Sequence, residues 1–130
     1  MPKSISHIAL IVCDPARTAE LFASVFGARV VSDADDDGHR QSLAKFGGVW
    51  FVLRQGEGPS ARNGDHIAFE VGKAELPGYA EKLAKSGVEY FMAREDSALY
   101  FTDYDNHVFE LDGGGSMDEA LENRGQGTAA

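Results

Sequence analysis

Two histidines, His7 and His66, stand 59 positions apart in near-identical settings, Ser6-His7-Ile8-Ala9-Leu10 and Asp65-His66-Ile67-Ala68-Phe69. A carboxylate, Glu110, interrupts the apolar run Val108-Phe109-Glu110-Leu111. An ionised carboxylate among apolar neighbours is costly unless a cation or several donors meet it. The histidine repeat suggests a cation, because a duplicated unit places the same ligand type twice. Aligning Val49-Trp50-Phe51-Val52-Leu53 with the later run sets Val52 against Glu110. Four equivalent inward positions then hold His7, Val52, His66 and Glu110. Two imidazoles and one carboxylate suit manganese, iron, zinc, cobalt or nickel and do not choose among them. Three protein ligands with an apolar residue in the fourth place is the pattern of a catalytic site, since open positions admit substrate. Taken singly, a histidine at a strand start is more often a hydrogen-bonded structural residue. The equivalence of the two settings and the unexplained Glu110 favour the metal. His39 and His107 lie in polar turn regions and read as surface residues.

The elements that must carry these residues repeat as well. Ile5 to Val12 is an apolar β-rich stretch ending at Asp14-Pro15, with Asp as N-cap and Pro at the first helical position. Leu21, Phe22, Val25 and Phe26 form one helical face, and Gly27 closes the helix. Ala28 to Ser32 reads as a strand, and Gln41 to Phe46 with Val49 to Arg54 as a hairpin around Gly47-Gly48. The second half follows the same order. His66 to Val71 is a strand, and Glu75 to Ser86 a helix carrying Leu76, Tyr79, Leu83 and Ala84 on its apolar side. Val88 to Met92, Ala98 to Thr102 and His107 to Leu111 are further strands. The spacing therefore predicts an α+β chain of two βαβββ modules, residues 4–56 and 62–112, followed by a segment 113–130. Residues 55–64 are the linker. In the last segment Met117 to Asn123 reads as a short helix, and the polar, Gly-rich remainder as a frayed tail. Each module offers one open sheet with a single helix-covered face. Pairing of the sheets would bury the other faces and build an inter-sheet metal cavity.

At 130 residues, 43% apolar and 25% charged, the chain is long enough for a real core and ordinary for a globular protein. Its formal net charge of −9 speaks against nucleic acid and anionic membranes as partners. Much of that charge sits in Asp33, Asp35, Asp36 and Asp37, read as a solvated turn that lacks the ligand spacing of a calcium loop. The single cysteine, Cys13, permits no internal disulfide, and a cytoplasmic location fits. A small residue ending a strand explains Cys13 better than a nucleophile does. No stretch is long enough to span a membrane, and the N-terminus does not read as a signal peptide.

The segments His7-Ile8-Ala9-Leu10-Ile11-Val12, Asp65-His66-Ile67-Ala68-Phe69 and Tyr100-Phe101-Thr102-Asp103-Tyr104-Asp105-Asn106-His107-Val108-Phe109-Glu110-Leu111 together resemble the vicinal oxygen chelate superfamily. Within it the chain is most similar to the fosfomycin-resistance proteins, over nearly its whole length; Gly48-Val49-Trp50 matches that branch too. The resemblance implies that His7, His66 and Glu110 bind a divalent metal, usually manganese. It implies a homodimer whose sheets pair across subunits, with His7 from one chain and His66 and Glu110 from the other. It also implies a small-molecule substrate, an epoxide opened by water or by a thiol co-substrate. Tyr100 matches a tyrosine that contacts substrate, and Ala9 and Trp50 fall in the substrate pocket. Four positions depart from the pattern. Gln41 stands where the hydrolase branch carries a glutamate base, and an amide cannot take a proton from water. Ala9 replaces a threonine, Tyr90 a lysine, and a position near Glu119 an arginine; Arg94 is the candidate to replace the lost phosphonate ligands.

Three readings follow. The first is a metal-dependent transferase, hydrolase or lyase in which the ion polarises a substrate oxygen. The second is an extradiol-dioxygenase- or glyoxalase-type enzyme of the same superfamily, since two histidines and a glutamate also make a facial triad. The third is a non-catalytic drug-binding protein using the inter-sheet groove. Phe46, Trp50 and Phe51 would line that groove, although core packing explains them equally well.

Overall fold

The structure, a computed structural model, describes residues 1–34 and 37–128, so Asp35 and Asp36 of the acidic run lie outside the described residues. In chain order the elements are β1 (His7–Val12), α1 (Pro15–Phe26), β2 (Arg29–Ala34), β3 (Arg40–Phe46), β4 (Val49–Gln55), β5 (His66–Glu70), a 3₁₀ turn (Lys73–Glu75), α2 (Leu76–Lys85), β6 (Tyr90–Ala93), β7 (Ala98–Thr102), β8 (Val108–Asp112) and α3 (Met117–Thr128). The chain is thus α+β, as the spacing predicts. Asp14 caps α1 by accepting from the Arg17 N–H, and Gly27 ends it at φ 66°, a left-handed value that a glycine adopts without strain.

The strands form two four-stranded sheets, ordered β1-β4-β3-β2 and β5-β8-β7-β6. The duplication is visible in the register. β1 runs parallel to β4 with Ala9 beside Val52, and β5 runs parallel to β8 with Ala68 beside Glu110. Val52 and Glu110 therefore occupy equivalent places, as the aligned sequences require.

Each sheet has a covered and an open face, because successive side chains on a strand point to opposite sides. Leu10, Val12, Ala44, Phe46, Phe51 and Leu53 of the first sheet face inward with α1. Leu99, Phe101, Phe109 and Leu111 of the second do so with Leu76 and Leu83 of α2, and all belong to one continuous core. Phe22 of α1 stands at its middle, with ring centroids 5.9 Å from Phe51 and 5.6 Å from Phe109. Phe51 and Phe109 are themselves equivalent in the repeat. On α2 the half-buried partner of Tyr79 is Ala80, and Ala84 is exposed, because the helix turns Leu76, Ala80 and Leu83 onto one stripe.

Besides the shared core, the halves are fastened at both ends of the β1–β4 pair. At the β3–β4 hairpin Gly47 (φ 61°) lies against the Phe69 ring, which a Cβ at that position would strike. Beyond the end of β1, the Cys13 N–H donates to Asp105 Oδ1 at 3.0 Å. The Asp105 turn is held by Asp103, whose carboxylate accepts from the Asp105 and His107 N–H groups and meets the His107 ring at 2.8 Å. His107 is thus mostly buried rather than a surface residue, because this turn uses it as an internal prop. No helix among the described residues is long and apolar enough to cross a membrane.

α3 corrects the expectation of a short helix with a frayed tail. It continues to Thr128 from a reciprocal cap, in which Ser116 Oγ accepts from the Glu119 N–H (3.1 Å) and Glu119 Oε2 from the Ser116 N–H (3.4 Å). Ser116-Met117-Asp118-Glu119 is a capping box that the sequence displays openly.

Candidate metal centre

Strand alternation puts His66, Ala68, Glu110, Tyr100 and Phe91 on the open face of the second sheet, since Ala68 pairs with Glu110, Glu110 with Tyr100 and Tyr100 with Phe91. His66 is fixed from behind: its Nδ1 lies 2.9 Å from the Gly64 carbonyl, which can only accept, so Nδ1 carries the proton. In a neutral ring the Nε2 lone pair then points outward. It lies 3.2 Å from Glu110 Oε1. Two lone pairs facing each other require a proton or a cation between them, and a carbonyl bonded behind the imidazole is the usual support of a metal-ligating histidine. The residues present fit a divalent ion.

Glu110 is 5% exposed on a face that is otherwise open. Burial works against its ionised form. The Tyr100 hydroxyl, the Arg94 guanidinium and the His66 ring nevertheless hold its pKa below the usual carboxylate range. Arg94 Nη2 donates to Glu110 Oε2 at 2.6 Å and Nη1 to the Tyr100 hydroxyl at 3.0 Å, and Asp112 lies 3.5 Å from Nη2. These bonds, Tyr100 foremost, push the guanidinium pKa upward, so Arg94 stays charged. The Tyr100 ring also meets the edge of His66 (5.8 Å) and stacks on Phe91 (5.2 Å). Arg94 therefore sits on the putting-together of the site, against Glu110 and Tyr100, rather than projecting as a free cation.

The first sheet carries the other candidates. His7, Ala9, Trp50 and Gln41 share its open face, since His7 pairs with Trp50, Ala9 with Val52 and Gln41 with Arg54. His7 is exposed, its Nδ1 3.0 Å from Ser6 Oγ. Arg29 and Lys45 flank the Trp50 ring at 5.7 and 5.9 Å. Trp50 thus belongs to the open face, whereas Phe46 and Phe51 belong to the core. Among the described residues no three His, Cys, Asp or Glu side chains of one chain converge on a point, so His7 and the His66–Glu110 pair remain apart within a single copy.

Two assignments at the substrate side change. Tyr90 pairs with the buried Phe101 and so shares the covered side, lining a cavity with Leu76, Pro77 and Ala80 of α2. The residue of β6 that reaches the open face is Phe91. Glu119 is committed to the α3 cap. The cation that α3 does bring is Arg124, which lines a cavity of about 690 Å³ together with His66, Arg94, Glu110 and Ala120. Ala120 and Arg124 are one helical turn apart, on one face. With the tail read as frayed, Arg124 went unnoticed; the capping box was the available signal.

Paired βαβββ units with a histidine–carboxylate pair on an open sheet face define a class of metal-site folds, and the comparisons give it a name. The chain belongs to the Glyoxalase/Bleomycin resistance protein/Dioxygenase superfamily, whose family model matches residues 4–111. It is 35% identical to the fosfomycin resistance protein FosX of Listeria innocua serovar 6a, over 94% of this chain and 97% of that one. The FosX crystal structure from Mesorhizobium loti superposes with a TM-score of 0.82 at 35% identity, covering 94% and 99% of the two chains. FosX of Listeria monocytogenes, crystallised with Mn(II) and sulfate, gives 0.81 at 32% identity, covering 93% and 99%.

Proposed function

We propose that the chain is a divalent-metal-dependent enzyme that opens a small epoxide, with His66 and Glu110 of one copy and His7 of a second copy as the metal ligands. The observation that carries this reading is the His66 Nε2–Glu110 Oε1 approach, with Nδ1 locked on the Gly64 carbonyl. The relatives support manganese as the ion. When bound, a divalent ion supplies Lewis acidity to the substrate oxygen. The chain's own residues do the rest. Tyr100 accepts from Arg94 and lends its own hydroxyl to Glu110, so it holds the carboxylate ionised beside the cavity. Arg124 brings positive charge to an anionic substituent. Gln41 can orient a nucleophile by hydrogen bonding but cannot deprotonate water, which favours a thiol that arrives already ionised.

The reading includes a homodimer, supported by the exposure of His7 and its separation from the other two proposed ligands. Arg29 and Lys45 on the first open face and Glu70 on the second support pairing of unlike charges across copies. Phosphorus NMR of manganese-loaded protein with fosfomycin, in water alone and with glutathione, cysteine or bacillithiol, tests the reading. Product in a thiol tube is expected. No product in any tube, with metal bound, would overturn fosfomycin as the substrate and direct the search to uncharged epoxides and dicarbonyls. Light scattering that showed a monomer with full metal affinity would overturn the shared site.

A further inference from the structure

We propose that Arg94 is a positioning residue that keeps Glu110 a one-oxygen ligand and so keeps a coordination position open for substrate. The inference rests on the metal reading above. The two oxygens of Glu110 face different partners: Oε1 faces His66 Nε2 at 3.2 Å, and Oε2 accepts from Arg94 Nη2 at 2.6 Å. A carboxylate free on both oxygens can take a divalent ion through one or both. A guanidinium N–H seated on Oε2 occupies that oxygen in the carboxylate plane and lowers its share of negative charge. Only Oε1 is then left to the ion.

The backbone shows that this placement is built. Arg94, Glu95 and Asp96 are three consecutive left-handed residues, at φ 50°, 57° and 63°, and none is glycine. Such a run is strained and persists only where surrounding bonds over-determine it. Ser97 closes it, its Oγ (2.6 Å) and N–H (3.1 Å) both donating to the Arg94 carbonyl, and the Gly113 N–H ties Ser97 to the strand after Glu110 (2.7 Å). The turn is thereby fastened to the same sheet edge as the ligand. Its product is a fork across neighbouring strands, one prong on Tyr100 of β7 and one on Glu110 of β8. Arginine's planar donor pair matches that span, and the single ammonium of lysine does not.

The test uses the whole chain and manganese alone. Free Mn(II) is counted by electron paramagnetic resonance, and the exchangeable waters on the bound ion by line broadening in oxygen-17 water. In Arg94→Ala the ion is expected to bind about tenfold more tightly, through loss of a neighbouring cation and gain of the second oxygen, and to carry one water fewer. Calcium, which accepts two-oxygen carboxylates readily, should gain more than manganese does. Arg94→Lys keeps the charge but not the fork, so it should recover only the part of the affinity change that the charge accounts for and should keep the lower water count. If Arg94→Ala fails to fold, Arg94→Gln carries the same expectations. Parent affinity and parent water count in the folded variant would overturn the proposal, as would weaker binding accompanied only by a lower Tm. A parent chain that binds no manganese would overturn the metal reading itself.

Discussion

The two sheets are built alike on their covered sides and unlike on their open ones. Phe51 and Phe109 are equivalent, both fully buried and both against Phe22. One position further along each strand, Val52 and Glu110 are equivalent in register and opposite in chemistry. In the first sheet the row across from the histidine runs Trp50, Lys45 and Arg29, whereas the second sheet's histidine meets a buried carboxylate and a tyrosine, both held by an arginine. Packing preserved the duplicate where both copies serve one core. On the proposed metal reading, chemistry diverged where a single set of ligands was needed.

Exchanging the residues that differ is the strongest way to break this comparison. Glu110→Val, which gives the second sheet the first sheet's residue, should weaken manganese binding by more than the roughly 10–100-fold that loss of an outer supporting partner costs. Titration calorimetry measures it. The converse change, Val52→Glu, should supply a fourth protein ligand across the copies. It should tighten manganese binding by about tenfold while abolishing turnover, because the substrate's position is filled. Looser binding in that variant would show that Val52 does not face the ion.

The covered faces should respond alike where the open faces do not. Phe51→Ala and Phe109→Ala should each cost about 3–5 kcal/mol in denaturant unfolding, as large aromatic truncations in a core do. A difference of more than about 2 kcal/mol between them would deny the symmetry of the core. Gly47→Ala should cost roughly 1–3 kcal/mol, since its methyl meets Phe69 and its backbone is left-handed. Phe69→Leu should recover part of that loss.

The smallest effect concerns pH. The charge of Asp105 and, after it, partial desolvation raise the Cys13 thiol pKa above its ordinary value. A raised value leaves less thiolate at neutral pH, so alkylation should set in at higher pH than for a free thiol. Asp105→Asn should accelerate iodoacetamide labelling at neutral pH by roughly two- to tenfold. Equal rates would remove Asp105 as the cause.

Much of this was legible in the chain. The His7 and His66 repeats, the Asp14-Pro15 start of α1 and the hairpin at Gly47-Gly48 specify modules whose register follows from alternation. That Val52 answers Glu110 needed only the aligned strands. The separation of His7 from its partner ligands within one copy did not follow from spacing, because local pattern says nothing about which copy supplies a face; the family resemblance supplied it. That Tyr90 lies on the covered side and Phe91 on the open one needed the strand register, since in a strand one residue is the other side of the sheet. The Arg94–Glu110 bond was hidden for a different reason. Nothing in Ala93-Arg94-Glu95-Asp96-Ser97 announces three left-handed residues, since no glycine marks the turn.

The joints between the halves bear on how copies assemble. Gly47 against Phe69 lies at the start of β4, and Asp105 on the Cys13 N–H lies past the end of β1, so the parallel β1–β4 pair is pinned at both ends. Halves held at one angle resist splaying. In the dimer proposed above, two such molecules exchanging faces would close a two-fold ring. A looser joint would let each copy reach for a third, and a head-to-tail thread could grow. On the proposed pairing of copies, Gly47 and Asp105 hold the two halves of each copy at one angle, a restraint against filaments from residues far from any chemistry.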